Sequence, residues 1–121
     1  MTGSRQLATL AARAAAEKQG RDVAVLDVKD LIAITDYFVI CSGANDRQVK
    51  TIAEEIEKAL RGRGIKPVRR EGERESRWVL LDFVDFVAHV FHEEDRDYYG
   101  LDRLWADAPP VAWETAAASS G

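Results

Sequence analysis

The chain has 121 residues, a mass of 13.5 kDa and a formal charge of −4, which corresponds to one compact domain and excludes a multidomain enzyme. Cys41 is the only cysteine, so an intramolecular disulfide framework is excluded, and we expect a reducing compartment, the cytoplasm. The longest apolar run, 78–91, is broken by two aspartates and a histidine, so we expect neither a membrane span nor an export signal.

The first 60 residues carry alternating helix and strand patterns. Apolar residues recur at helical spacing after Ser4, which predicts a helix over 5–19 with Ser4 as its N-cap. Short runs rich in β-branched and aromatic residues at 23–28 and 37–41 predict strands that are covered on both faces. A second amphipathic helix is predicted after Asn45, its cap.

The remaining patterns predict three more strands and one more helix. Pro67 lacks a donor, so a strand over 66–70 is expected at a sheet edge. Residues 78–83 and 86–91 predict an antiparallel hairpin. A primed two-residue turn would strain Val84, because a β-branched residue disfavours positive φ, so a longer connection stays open. A helix is predicted over 95–106. We therefore expect one domain over 5–107 and a disordered tail over 108–121.

Charge is distributed unevenly along the chain. Residues 61–77 contain seven basic and three acidic residues, whereas 93–121 contain two basic and seven acidic ones. The basic stretch, which includes Arg69, Arg70 and Arg74, predicts either a solvated edge or contacts with nucleic-acid phosphates. It lacks interleaved aromatic residues, which favours the solvated edge.

Few ionisable residues have the spacing of a catalytic or metal site. His89 and His92 would face opposite sides of one strand, Asp82 and Asp85 likewise, and Cys41 has no partner base at a defined spacing. Ser42 and Gly43 precede a helix but lack the remaining glycines of a phosphate-binding loop. We therefore predict no catalytic residues, no metal ligands and no cofactor.

One face of the strand that begins at Trp78 has the composition of a binding surface. Trp78, Leu80 and Asp82 alternate with three apolar residues that would face the core. An aromatic anchor, an apolar neighbour and a charge are typical of a protein-binding hot spot. The pattern leaves open whether this face binds a partner or is covered by a helix of the same chain.

Several motifs together resemble one known family. They are Leu26-Asp27-Val28, Thr35-Asp36-Tyr37-Phe38-Val39-Ile40-Cys41-Ser42-Gly43, Glu71-Gly72, Trp78-Val79-Leu80-Leu81-Asp82, His89-Val90-Phe91, Arg96, Tyr99 and Leu101 to Trp105. In order and spacing over residues 5–107 the chain resembles the Iojap-like ribosomal silencing factor family. It departs at Val84, where the family usually has glycine, and at Arg77, where an acidic or small residue is expected.

The resemblance implies an α/β domain with a mixed five-stranded sheet, similar to the nucleotidyltransferase fold but without its catalytic carboxylates. It also implies a non-enzymatic translational repressor that binds the large ribosomal subunit at its protein numbered fourteen. Bound there, it would sterically block joining of the small subunit when nutrients are limiting. On this basis Trp78 would be the anchor, Leu80 its support and Asp82 a charge partner, with Tyr98 and Tyr99 at the border.

Two other classes stay open from sequence. One is a divergent nucleotidyltransferase-like enzyme that uses Ser42, Gly43 and nearby carboxylates. The other is a small RNA-binding module, for which Arg69, Arg70 and Arg74 would contact RNA phosphates. The family resemblance also suggests a homodimer when the protein is free, since an exposed apolar face can self-associate.

Overall fold

The computed structural model describes residues 3–114. They form four helices and five strands: α1 (Ser4–Glu17), β1 (Arg21–Asp27), β2 (Tyr37–Gly43), α2 (Asp46–Arg61), β3 (Arg69–Glu71), β4 (Trp78–Asp82), β5 (Phe86–His92), α3 (Glu93–Tyr99) and α4 (Leu101–Leu104). The predicted α/β domain with a mixed five-stranded sheet is confirmed. Within residues 3–114, no helix has the length and apolarity needed to cross a membrane.

The strand order is β1-β2-β5-β4-β3, with β5 at the centre. β2 runs parallel to β5, and the other neighbouring pairs are antiparallel. All seven residues of β2 are buried, as predicted for a strand covered on both faces. The same prediction is wrong for β1, an outer strand in which only Val25 is buried. The parallel pair needs a long crossover, and α2 lies within it.

The first face of the sheet packs on the two long helices. α1 contributes Leu7 and a row of buried alanines, and α2 contributes Val49, Ile52, Ile56 and Leu60. Asn45 caps α2 by accepting a hydrogen bond from the Gln48 backbone at 2.9 Å, as predicted. This layer forms the main core.

The second face of the sheet has a smaller apolar cluster under the short helices. Phe38, Ile40 and Phe91 form its buried centre together with Val28, Leu101 and Ala108. Leu26, Trp78 and Trp105 pack around it while staying partly exposed. Since α3 and α4 have only seven and four residues, they leave part of this face in contact with solvent.

Several element boundaries differ from the sequence predictions, among them two helix boundaries and the edge strand. Gly3, not Ser4, is the N-cap of α1, and the Ser4 hydroxyl instead donates to the Asp36 carboxylate at 3.2 Å. The helix predicted over 95–106 begins at Glu93 and is divided by Gly100, whose φ of 63° ends α3. The edge strand predicted over 66–70 is Arg69–Glu71, because pairing with β4 sets its register.

The segment predicted to begin a disordered tail is packed against β1 as far as the structure describes it. The Pro109 carbonyl accepts from the Asp27 backbone at 2.8 Å, and the Val111 backbone N–H donates to the Val25 carbonyl at 2.8 Å. Val111 is buried, and the Trp113 indole donates to the Val23 carbonyl at 3.1 Å. The domain therefore extends past residue 107, and residues 115–121 of the predicted tail lie outside the described residues.

The hairpin between β4 and β5 turns at Val84, which has a φ of 74°. The Asp85 backbone N–H donates to the Phe83 carbonyl at 2.9 Å, so the turn closes over one residue. A three-residue turn with positive φ at its centre is a strained γ-turn, and β-branching adds to the strain. The connection is thus the short one, and the strain that favoured a longer connection is present at Val84.

Replacing Val84 by glycine should stabilise the protein. Val84 is more than half exposed, so its replacement loses little packing. The strain removed at positive φ outweighs the larger conformational entropy that glycine loses on folding. We expect Val84→Gly to raise the free energy of unfolding by about 1 kcal/mol in urea titrations followed by circular dichroism. Val84→Ala is the matched control, since its Cβ retains most of the strain. A Val84→Gly protein less stable than wild type would contradict this interpretation.

Candidate functional site

The residues of β4 alternate between the core and an accessible face. Val79 and Leu81 are buried against the long helices, whereas Trp78, Leu80 and Asp82 are half-buried on the second face. The short helices cover this strand incompletely. The sequence left open whether this face binds a partner or is covered by a helix of the same chain. Within residues 3–114, the helices do not cover it completely.

Trp78 lies at the centre of an aromatic group. Its ring stacks on Phe91 with centroids 4.9 Å apart and contacts Tyr99 at 4.7 Å. Its indole Nε1–H donates to Nδ1 of His89 at 3.1 Å. The indole is therefore held by two rings and one hydrogen bond while part of it stays accessible to solvent.

Tyr98 and Tyr99 extend this group outward. The two rings meet edge to face at 5.1 Å, and the exposed fractions of the residues are 81% and 49%. We call Trp78, Leu80, Asp82, Tyr98 and Tyr99 the aromatic surface. Exposed tyrosines around a half-buried tryptophan give the large, rigid apolar area that is enriched at protein interfaces.

Arg96 fixes the helix that carries the two tyrosines. Its guanidinium forms two hydrogen bonds of 3.0 Å with the Asp102 carboxylate, so it ties α3 to α4. It also donates to the Asp22 carbonyl at 2.6 Å and to the Ser42 hydroxyl at 3.0 Å. Arg96 thereby anchors both short helices to the sheet, and it lowers the pKa of Asp102.

Arg77 explains one departure from the family pattern. It donates to the Asp95 carboxylate at 2.7 and 3.3 Å and lies 3.6 Å from Glu94 and 3.8 Å from Asp46. It joins the start of β4 to α3 and to the N-terminus of α2. A basic residue at this position therefore supports the border of the aromatic surface.

His89 lies beneath the aromatic surface and is buried. Its ring meets Phe38 edge to face at 4.9 Å, and Phe38 in turn meets Trp105 at 5.3 Å. Burial lowers the pKa of His89 to about 4. His89 is thus neutral at physiological pH, which leaves its Nδ1 able to accept the indole hydrogen bond.

The three arginines predicted as phosphate contacts do not share one face. Arg69 pairs with Asp82 across the strands and lies 3.7 Å from its carboxylate, on the side of the aromatic surface. Arg70 faces the opposite side and binds Glu57 of α2 at 2.5 Å. Arg74 is exposed in the β3–β4 connection, with no salt bridge to any residue within 3–114.

The strand end at Cys41 and Ser42 does not have the arrangement of a nucleophile or phosphate site. Burial raises the pKa of Cys41 to about 12, so the thiol stays protonated at neutral pH. Ser42 is buried beside Arg96. The cleft next to it, of about 600 Å³, is lined largely by carboxylates, which repel phosphate: Asp22, Glu93, Glu94, Asp97 and Asp102.

The paired residues considered as metal ligands have other roles. The His92 Nδ1 accepts from the Glu94 backbone at 3.2 Å and caps α3. Asp82 accepts from the Val84 backbone at 2.9 Å and stabilises the hairpin turn. Among residues 3–114, no group of three or more His, Cys, Asp or Glu residues is placed to hold a metal ion.

Sequence reasoning found the aromatic surface but missed the contact beneath it. His89 accepts the indole hydrogen bond at Nδ1, whereas its buried Nε2 has no hydrogen-bond partner within residues 3–114. Trp78 and His89 are diagonal neighbours on two paired strands, because Trp78 pairs with Phe91 and Leu80 pairs with His89. This relation is visible only once the register is known.

Comparison with known proteins agrees with the fold and its motifs. The family model described as "Ribosomal silencing factor during starvation" matches residues 2–120. This chain belongs to that family. It is 42% identical over 111 residues to the ribosomal silencing factor RsfS of Halalkalibacterium halodurans, covering 92% of this chain and 95% of the relative.

Two further relatives extend the comparison. A crystal structure of a Chromobacterium violaceum protein superposes with a TM-score of 0.84 at 31% identity, covering 87% of this chain and 88% of the other. The mouse protein named mitochondrial assembly of ribosomal large subunit protein 1 is 33% identical over 92 residues, covering 74% of this chain and 40% of its own length. The similarity therefore covers less than half of the mouse protein.

The low pKa of His89 makes stability depend on pH. An unfolded histidine titrates near about pH 6.5, so between this value and about pH 4 the unfolded chain binds a proton that the folded protein does not. The free energy of unfolding should therefore fall as pH decreases through this window, by about 3 kcal/mol in total.

Urea titrations of wild type and His89→Asn from pH 7 to pH 4 measure this contribution. The difference in unfolding free energy between the two proteins should shrink as the pH falls, because only wild type has the histidine whose pKa is lowered by folding. Parallel curves for the two proteins would show that His89 titrates alike in the folded and unfolded chains.

Proposed function

We propose that this protein binds the large ribosomal subunit through the subunit's protein numbered fourteen and sterically blocks joining of the small subunit under nutrient limitation. Membership of the ribosomal silencing factor family supports this role. The name of the mouse relative, which refers to the large subunit, supports the choice of subunit. The role is regulatory and requires no catalytic step.

The observation that carries the proposal is the incompletely covered face of β4. Trp78 offers a half-buried indole, Leu80 lies beside it, and Tyr98 and Tyr99 add exposed aromatic area. Such a surface gains free energy when a partner removes it from water. Its preformed aromatic contacts keep the entropic cost of binding low.

Charge on the surface favours a basic partner. The Asp82 carboxylate is only partly engaged, since Arg69 lies 3.7 Å away and 60% of the Arg69 side chain is exposed. Exposed pairs of this kind contribute little to stability, so a partner cation can replace Arg69 at small cost. α3 adds Glu93, Glu94 and Asp97, exposed carboxylates, near the tyrosines. Basic ribosomal surfaces complement such charges.

The size and rigidity of the domain support steric exclusion. The domain has a mass of 13.5 kDa and presents a sheet supported on its first face by two long helices. A rigid body of this size on the face of the large subunit that meets the small subunit would prevent the two from approaching. Occupancy alone then determines repression.

Light scattering during association of purified ribosomal subunits tests the proposal. We expect wild type to block association and Trp78→Ala to need about thirtyfold more protein, because loss of a hot-spot tryptophan costs about 2 kcal/mol or more. If the wild-type protein saturates the large subunit without slowing association, subunit exclusion is wrong for this chain.

Two further variants separate binding from folding. Tyr98→Ala removes a ring that is 81% exposed, so it should weaken binding without changing the melting temperature. Trp113→Phe is the matched control, since Trp113 packs on the opposite side of the sheet, and it should block joining as wild type does. Equal activity of Trp78→Ala and Trp113→Phe would place the contact elsewhere.

We also propose that basic residues near the aromatic surface contact ribosomal RNA phosphates. Arg69 lies on that side of the sheet and Arg74 is exposed, whereas Arg70 is paired with Glu57 on the other side. These positions favour Arg69 and Arg74 over Arg70 as phosphate contacts. Such contacts would make ribosome binding depend on salt.

The salt dependence of large-subunit binding tests the RNA contacts. For Arg69→Gln with Arg74→Gln we expect the slope of log K against log salt concentration to decrease by about 1.5, since each phosphate contact contributes about 0.7 to 0.9. Arg70→Gln is the matched control and should retain the wild-type slope. An unchanged slope in the double variant would remove RNA from the proposal.

A further inference from the structure

The hydrogen bond between Trp78 and His89 has a consequence for the chemistry of the aromatic surface. Nε1 is the only polar atom of an indole, and here its proton is donated to His89 at 3.1 Å. The indole therefore has no free hydrogen-bond donor. A partner meets an apolar ring with no donor to satisfy.

Ring contacts alone leave the orientation of the indole underdetermined. Phe91 stacks on Trp78 at an interplanar angle of 29°, and Tyr99 lies against it at 47°. Apolar stacking tolerates sliding and rotation, since dispersion has little directionality. A hydrogen bond to a fixed atom selects one of these orientations, because its energy falls steeply with angle.

His89 is well suited to be that fixed atom. It lies on β5, the central strand of the sheet, it is buried, and Phe38 packs edge to face on its ring at 4.9 Å. Because Nδ1 accepts the indole proton, the proton of the neutral ring is on Nε2. Within residues 3–114 that buried Nε2 has no hydrogen-bond partner, which is an arrangement that costs stability.

A buried donor without a partner needs an explanation, since an apolar residue at this position would avoid its cost. The only polar contact of the His89 ring within residues 3–114 is the one to Trp78. We propose that His89 is a positioning residue: it fixes the Trp78 indole in the orientation that binds the partner. This inference rests on the proposed function and adds the residue that prepares the site.

A matched pair of substitutions isolates the hydrogen bond. Leucine and asparagine have nearly the same shape, but only the Oδ1 of asparagine can accept the indole proton near the position of Nδ1. We expect His89→Leu to weaken binding to the large subunit about tenfold, the typical effect of leaving one buried donor unpaired. His89→Asn should restore binding to within about threefold of wild type.

A double-mutant cycle shows whether His89 acts through Trp78. In the Trp78→Ala background, His89→Leu and His89→Asn should bind equally, within about twofold, because the group that His89 positions is absent. A general loss of folding would weaken both backgrounds alike. The indole N–H resonance of Trp78 should shift in His89→Leu and return toward its wild-type position in His89→Asn.

The outcomes separate this inference from the proposed function. If wild type does not bind the large subunit, the proposed function fails, while the indole resonance still reports whether His89 holds Trp78. If wild type binds and His89→Leu binds equally well, the positioning role is wrong. The positioning role is also wrong if His89→Leu weakens binding to the large subunit in the Trp78→Ala background as well, since His89 would then act independently of Trp78.

Discussion

The parallel pairing of β2 with β5 is the constraint on which the rest of the fold depends. A parallel pair at the centre of a sheet must be covered on both faces, and each of the seven residues of β2 is buried. The first face is covered by α1 and α2, with 14 and 16 residues. Among the described residues 3–114, α3, α4 and the loops around them cover the second face.

This unequal covering creates the aromatic surface. α3 and α4 suffice to bury Phe38, Ile40 and Phe91 over the central strands, but their total length does not reach across β4. Trp78 and Leu80 are therefore left at the margin of a core rather than on an isolated patch. A surface that continues into a packed core is rigid, because its side chains share their contacts with buried neighbours.

Local sequence patterns predict much of the fold. The features that they do not predict depend mainly on pairing between distant strands. The period of α2 and the cap at Asn45 are readable from neighbours in sequence. The shift of β3 depends on its register with β4, and the division of the last helix depends on the left-handed conformation of Gly100. Likewise Trp78, Leu80 and Asp82 share a face by alternation, but the bond from Trp78 to His89 exists only through strand pairing.

The segment that packs along β1 also limits how the sheet can grow. It occupies the outer edge of β1 through the Pro109 carbonyl and the Val111 N–H. Pro110, whose backbone nitrogen faces the far side, has no N–H to donate there. A further strand could not form the full set of backbone hydrogen bonds at this edge. The edge therefore ends the sheet and protects the protein against edge-to-edge polymerisation.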